Sequence, residues 1–72
     1  MSNFMNTDIS PTLRVSTVRA TPTGFETVVY RATISPHAPL EAESRRTSSE
    51  NEAIATHAEL VACWTVRHIA EG

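Results

Sequence analysis

The stretch "RRTSSENEAIATHAELVACW", residues 45–64, decides how this chain is read. It passes from a basic pair through small polar residues into an alanine-rich segment holding the only Trp and the only Cys. Ser49 and Glu52 have capping-box spacing, in which a hydroxyl accepts the backbone N–H three residues on and the carboxylate reaches back. Glu50 and Glu52 fall in the first turn, and Arg67 and His68 near the other end, as the helix dipole favours. These signals predict a helix over 49–69. On it Ile54, Ala58, Val61, Thr65 and Ile69 share one arc, the expected core face, opposite Glu52, Thr56, Glu59 and Arg67. Ala53, His57, Leu60, Trp64 and His68 form a second stripe beside that arc. One helix on a small sheet does not readily bury so wide an arc. The stripe is therefore either the shoulder of the core, with Trp64 over the sheet edge, or a contact surface for another chain.

Reading back from the helix, "LEAESRR" (40–46) alternates, with Leu40, Ala42 and Ser44 on one face and Glu41, Glu43 and Arg45 toward water. That is the pattern of an edge strand. "SPHAP" (35–39) carries two prolines and must be a loop. "GFETVVYRATI" (24–34) is rich in β-branched and aromatic residues, and its alternation places Val28, Tyr30, Ala32 and Ile34 on one face. "TPTG" (21–24) is a turn, and "TLRVSTVRA" (12–20) a strand with Leu13, Val15 and Thr17 together. Residues 1–11 are polar, end in Ser10-Pro11, and are expected as a flexible tail. The expected fold is α+β, a single 12–72 domain with a three-stranded antiparallel sheet and one C-terminal helix packed on it (βββα). Its expected core is Val15, Val28, Tyr30, Ile34, Leu40, Ile54, Ala58, Val61 and Ile69.

Composition limits what such a domain can do. Seventy-two residues lie near the size at which one core is stable alone, where pairing with another chain is a common remedy. The 40% hydrophobic and 19% charged content is that of a globular chain, and the net charge of -2 argues against general attraction to nucleic acid or anionic membrane. All six basic residues are Arg, which a GC-rich genome explains as readily as a need for forked hydrogen bonding. A single Cys excludes an internal disulfide and fits a reducing compartment. The opening residues lack the basic and apolar regions of a signal peptide, and the longest apolar run, "LVACW", is too short to span a bilayer. A soluble cytoplasmic protein is expected.

The chemistry-bearing residues do not assemble into a site. His57 and His68 are about 16 Å apart along a helix axis, and neither Cys63 nor Glu59 completes a tight ligand set with either. Cys63 lies across the helix from both, so no thiolate–imidazolium pair is expected. Glu41 and Glu43 share a strand face, but with Arg45 or solvent for company they are no dry acid–base pair. Two glycines leave no phosphate-binding loop. The reading is a non-enzyme with no cofactor and no metal.

A βββα order with a Ser-capped helix resembles the second half of a double-stranded-RNA-binding domain. That family's phosphate-clamping lysines correspond to Glu50, Asn51 and Glu52 in "SSENEAIA", a reversal of charge. Small antitoxins of the HicB type have a similar strand-to-helix arrangement. The order "VSTVRATPTGFETVVYR", "LEAESRR", "SSENEAIATHAELVACW" resembles the layout of some small phage-encoded type I anti-CRISPR proteins across most of residues 15–64. That resemblance implies a stoichiometric inhibitor occupying a surface of a larger host protein or ribonucleoprotein complex. The residues expected to meet the partner are Glu41, Glu43, Glu52, His57, Glu59, Leu60 and Trp64, with a homodimer through the helix flank as a further expectation. The acidic members would complement a basic nucleic-acid channel. Arg14, Arg31 and Arg45, with Phe25 and Val29, are expected on the outward sheet face. They favour the alternative, a small nucleic-acid-binding regulator or HicB-like antitoxin.

Overall fold

The computed structural model describes residues 2–31 and 40–71. Four strands form one antiparallel sheet in the order of the chain: β1 (Ser2–Ser10), β2 (Leu13–Arg19), β3 (Phe25–Arg31) and β4 (Leu40–Thr47). One helix, α1 (Glu50–Glu71), follows and covers one face of the sheet. The α+β architecture with a C-terminal helix on an antiparallel sheet is as the sequence suggests, but the sheet has a fourth strand. Residues 2–10, expected as a tail, are that strand. Asn, Asp and Ser are poor strand formers, yet β1 still carries a usable alternation. Thr7 bonds to the helix, Ile9 packs against the core, and Met5 lies opposite Thr17.

Pro11 and Thr12 connect β1 to β2, with Ser10 paired to Leu13. The favoured two-residue hairpin turns require positive φ, and no non-glycine residue described here has it. A proline-led turn serves instead, with Ile9 inserted as the extra residue of a bulge next to it. The β2–β3 turn closes through the Ala20 N–H, which donates to the Gly24 carbonyl at 3.0 Å. A Cβ on Gly24 would stand 2.6 Å from Thr21 Oγ1, so any side chain there would have to displace that hydroxyl.

The strand register places Val15 opposite Val29, Thr17 opposite Thr27, and Leu13 opposite Arg31. Leu13, Val15 and Val29 pack with Leu60 and Trp64 of the helix into the core, and Ile9 and Val61 sit against its margin. Fully burying each large apolar side chain is worth about 1.5–3 kcal/mol. The phase of β3 is therefore the reverse of the one read from its sequence: Phe25, Thr27 and Val29 face the helix. Val28 is buried as expected, but on the far face opposite Ser16 and Ser44, and Tyr30 is half-buried on that same face. Ile34 lies outside the described residues, and so does the side chain of Leu40.

The helix is also rotated from its expected setting. Its buried stripe is Ala53, His57, Leu60 and Trp64, while Ile54, Ala58 and Ile69, expected in the core, are exposed, and Val61 is half-buried. The cap is as read. The Glu52 N–H donates to Ser49 Oγ at 3.2 Å, and the Ser48 and Ser49 hydroxyls donate to Glu52 Oε1 at 3.3 and 3.2 Å. A cap of this kind contributes about 1 kcal/mol. Among the described residues, no helix is long and apolar enough to cross a membrane.

Candidate partner-binding surface

Two polar clusters fix the helix on the sheet. On the β1 side, both imidazole nitrogens of His57 are engaged: Nε2 with Thr7 Oγ1 at 2.8 Å and Nδ1 with Thr17 Oγ1 at 2.7 Å. Thr17 Oγ1 also bonds to Thr27 Oγ1 at 2.8 Å. Two strands thus meet one helix residue through hydroxyls, and a third joins through Thr17; each hydroxyl can donate or accept as the tautomer requires. Burial, which disfavours the imidazolium, pushes the His57 pKa below its ordinary value.

On the β4 side, Trp64 Nε1 donates to Glu43 Oε1 at 3.0 Å, and Arg45 Nε donates to Glu43 Oε2 at 2.9 Å. The guanidinium of Arg67 stands 4.3 Å from the Trp64 ring centroid and that of Arg31 5.4 Å from it, both within cation–π range. The indole bond, the Arg45 bond and the nearby Arg45 and Arg67 charges hold the Glu43 carboxyl below its usual range. Glu43 is thus turned to the helix, not to water as its alternation suggested. The bulge between Glu41 and Glu43 changes the phase of β4 at that point.

Every arginine of the chain has a structural engagement. Arg14 pairs with Asp8, Arg45 with Glu43 and Arg46 with Glu26, while Arg19 lies over Phe25 and Arg31 and Arg67 over Trp64. Of the three arginines expected on the outward sheet face, Arg14 is there, on the face of Tyr30 and Asp8, but Arg31 and Arg45 lie on the helix side. Phe25 and Val29, expected outward with them, are buried on the opposite face, Val29 against Leu60 and Trp64 and Phe25 against Phe4.

The expected partner-binding residues separate into two groups. His57, Leu60 and Trp64 are core, at 5%, 1% and 4% exposure, so the second stripe of the helix, apart from its exposed last member His68, is its packing face. Glu43 is committed to Trp64, and Glu52 to the cap. Glu41 and Glu59 are exposed. Sequence reasoning missed the helix surface that remains open: Ile54, Val66 and Ile69 are 45%, 66% and 72% exposed. With 3.6 residues per turn, Ala58, Ala62, Val66 and Ile69 form a ridge pointing away from the sheet, and Ile54, Val61 and Thr65 line the flank toward β1. Single exposed apolar residues are ordinary; here several of them share the side of α1 that faces away from the sheet.

Cys63 is exposed, and among the described residues no three His, Cys, Asp or Glu side chains group as a metal site. A cavity of about 660 Å³ opens beside the first hairpin turn, where Asp8 and Arg14 are paired to each other and Tyr30 forms part of the wall. Comparison with known protein families, with curated proteins and with solved structures found no match.

Proposed function

We propose that this chain is a non-enzymatic protein-binding module, acting as a phage-type stoichiometric inhibitor on a surface of a larger host assembly, a CRISPR defence complex in particular. The observation that supports it is the outward apolar ridge of α1, with Val66 and Ile69 each more than half exposed in a chain whose arginines are all engaged elsewhere. A partner-binding face with an apolar centre and a charged rim fits a protein better than a bare phosphate track. Glu59 borders the ridge, and Glu41 is exposed on β4, so acidic groups are free to meet a basic channel and steer association.

The test is affinity capture from host lysate with and without nuclease, using the natural chain and a Val66→Glu, Ile69→Glu double variant. Capture that survives nuclease and is lost in the double variant supports the reading. Reversing Glu41 and Glu59 to Arg should slow association while leaving thermal stability nearly unchanged. Glu52 is unsuitable for this purpose because it serves the helix cap. Tight RNA or DNA binding by the purified chain, falling steeply with salt, would replace this reading with the nucleic-acid regulator.

A further inference from the structure

The two edges of the sheet differ sharply. The β4 edge carries Glu41, Glu43, Arg45 and Arg46 among its eight residues, and the helix flank above it carries Glu52, Glu59 and Arg67. Charges of this density guard an edge against further pairing. The β1 edge has nine residues and one charge, Asp8, which is tied to Arg14. The helix flank above β1 is apolar, with Ile54 at 45% exposure and Val61 half-buried, followed by Thr65.

The hydrogen-bonding phase of this open edge follows from the β2–β3 turn. The Ala20–Gly24 pair is hydrogen-bonded, and bonded and non-bonded pairs alternate along an antiparallel ladder. Arg14, Ser16 and Val18 therefore direct their backbone groups to β3, and Val15 and Thr17 direct theirs to β1. Val15 is opposite Thr7 and Thr17 opposite Met5, which leaves the N–H and C=O groups of Asn6 and Asp8 aimed at the open side. This short regular run lies between the two bulges of the strand.

We infer that a second copy of this chain docks here, β1 against β1 in antiparallel sense about a two-fold axis at Thr7. The occupant is chosen by chemistry. The open edge and its apolar flank call for an extended, nearly uncharged segment with apolar side chains on its helix-side positions, and β1 is itself such a segment. Centred on Thr7, Asn6 of each copy exchanges backbone hydrogen bonds with Asp8 of the other. Met5 then meets Ile9 across the axis on the helix side, and the two Asp8 carboxylates are not opposite one another. A strand added at β1 lies about 4.8 Å outside it, beneath Ile54 and Val61, so one contact covers both the edge and the flank. The result is a continuous eight-stranded sheet. It leaves the outward ridge of α1 free, so it is independent of the function proposed above.

Sedimentation across a dilution series, with amide hydrogen exchange at both ends of the series, tests this on the full chain. A dimer is expected in which the Asn6 and Asp8 amides are protected at high concentration and exchange readily when dilute. Ile54→Glu should weaken the dimer by about tenfold or more, because it places an unpaired charge in the contact. Asn6→Pro, which removes an outward N–H where edge strands tolerate proline, should do the same. Val66→Glu, on the outward ridge, should leave the dimer unchanged. A monomer at every concentration overturns the inference. So does a dimer that survives Ile54→Glu, or one whose Asn6 and Asp8 amides exchange at the same rate at all concentrations.

Discussion

Trp64 Nε1 and Glu43 Oε1 are 3.0 Å apart, joining the second half of the helix to the middle of β4. The pair explains why a carboxylate on an edge strand faces inward and why the largest side chain of the helix lies toward that edge. Trp64→Ala should cost about 3–5 kcal/mol in urea unfolding, through lost burial and a cavity. Trp64→Phe keeps most of the apolar volume but leaves the half-buried carboxylate without its indole donor, and about 1–3 kcal/mol is expected. A Phe variant as stable as the natural chain would show that the ring alone matters.

His57 gives the fold a defined pH response. Its pKa is lowered in the folded state by burial, so between that lowered value and the ordinary 6.5 the unfolded chain binds more protons. Stability then rises with pH through this window. The contribution is complete above about 6.5 and is lost as pH falls below it. The groups facing the ring, Thr7, Thr17 and, through Thr17, Thr27, are uncharged and offer the imidazolium no counter-ion. Of the charged side chains on these strands, Asp8, Arg14 and Glu26 lie on the other face, Arg19 lies over Phe25 and Arg31 over Trp64. Urea titrations at several pH values should show this slope, and His57→Gln should remove it. Resonances showing His57 protonated at neutral pH would contradict the assignment.

The rotation of the helix is checked by two truncations on different stripes of α1. Leu60→Ala, at 1% exposure, should cost about 2–5 kcal/mol. Ile54→Ala, at 45% exposure, should change monomer stability by about 0.5 kcal/mol or less. Equal costs measured on dilute protein would mean that both stripes are packed.

Gly24→Ala should destabilise the hairpin by about 0.5–1.5 kcal/mol, because the new Cβ forces the Thr21 side chain out of its rotamer. The cost should vanish in the Thr21→Ala, Gly24→Ala double variant, since the 2.6 Å approach is to Thr21 Oγ1. Additive costs in the double-mutant cycle would place the strain in the backbone instead.

Local signals were legible wherever one residue's chemistry decides the matter. Ser49 with Glu52 marked the helix start, the Pro/Gly turn marked the first hairpin after β2, and Leu13, Val15 and Thr17 marked one face of β2. The phase of β3 was not legible, because Val28 and Val29 are adjacent and both phases of "FETVVYR" contain a valine. The chosen phase puts Thr27 in the core, which is tolerable because its hydroxyl meets Thr17 and, through it, His57. β1 was hidden by its polar composition. It is a strand because β2 offers it a ladder and His57 offers Thr7 a partner.

The candidate surface divides the same way. The sequence by itself determined the elements from β2 onward, the capped helix, and the presence of two rival apolar stripes on that helix. Only the tertiary structure decided which stripe is core, because that choice depends on partners from other strands. Leu60 and Trp64 fill the space over Leu13, Val15 and Val29, and Trp64 and His57 find bonds to Glu43, Thr7 and Thr17. A helical wheel weighs hydrophobicity along one segment, whereas burial is settled by shape and hydrogen-bond satisfaction between segments distant in sequence. Packing Ala53, His57, Leu60 and Trp64 inward therefore left Ile54, Val66 and Ile69 on the surface.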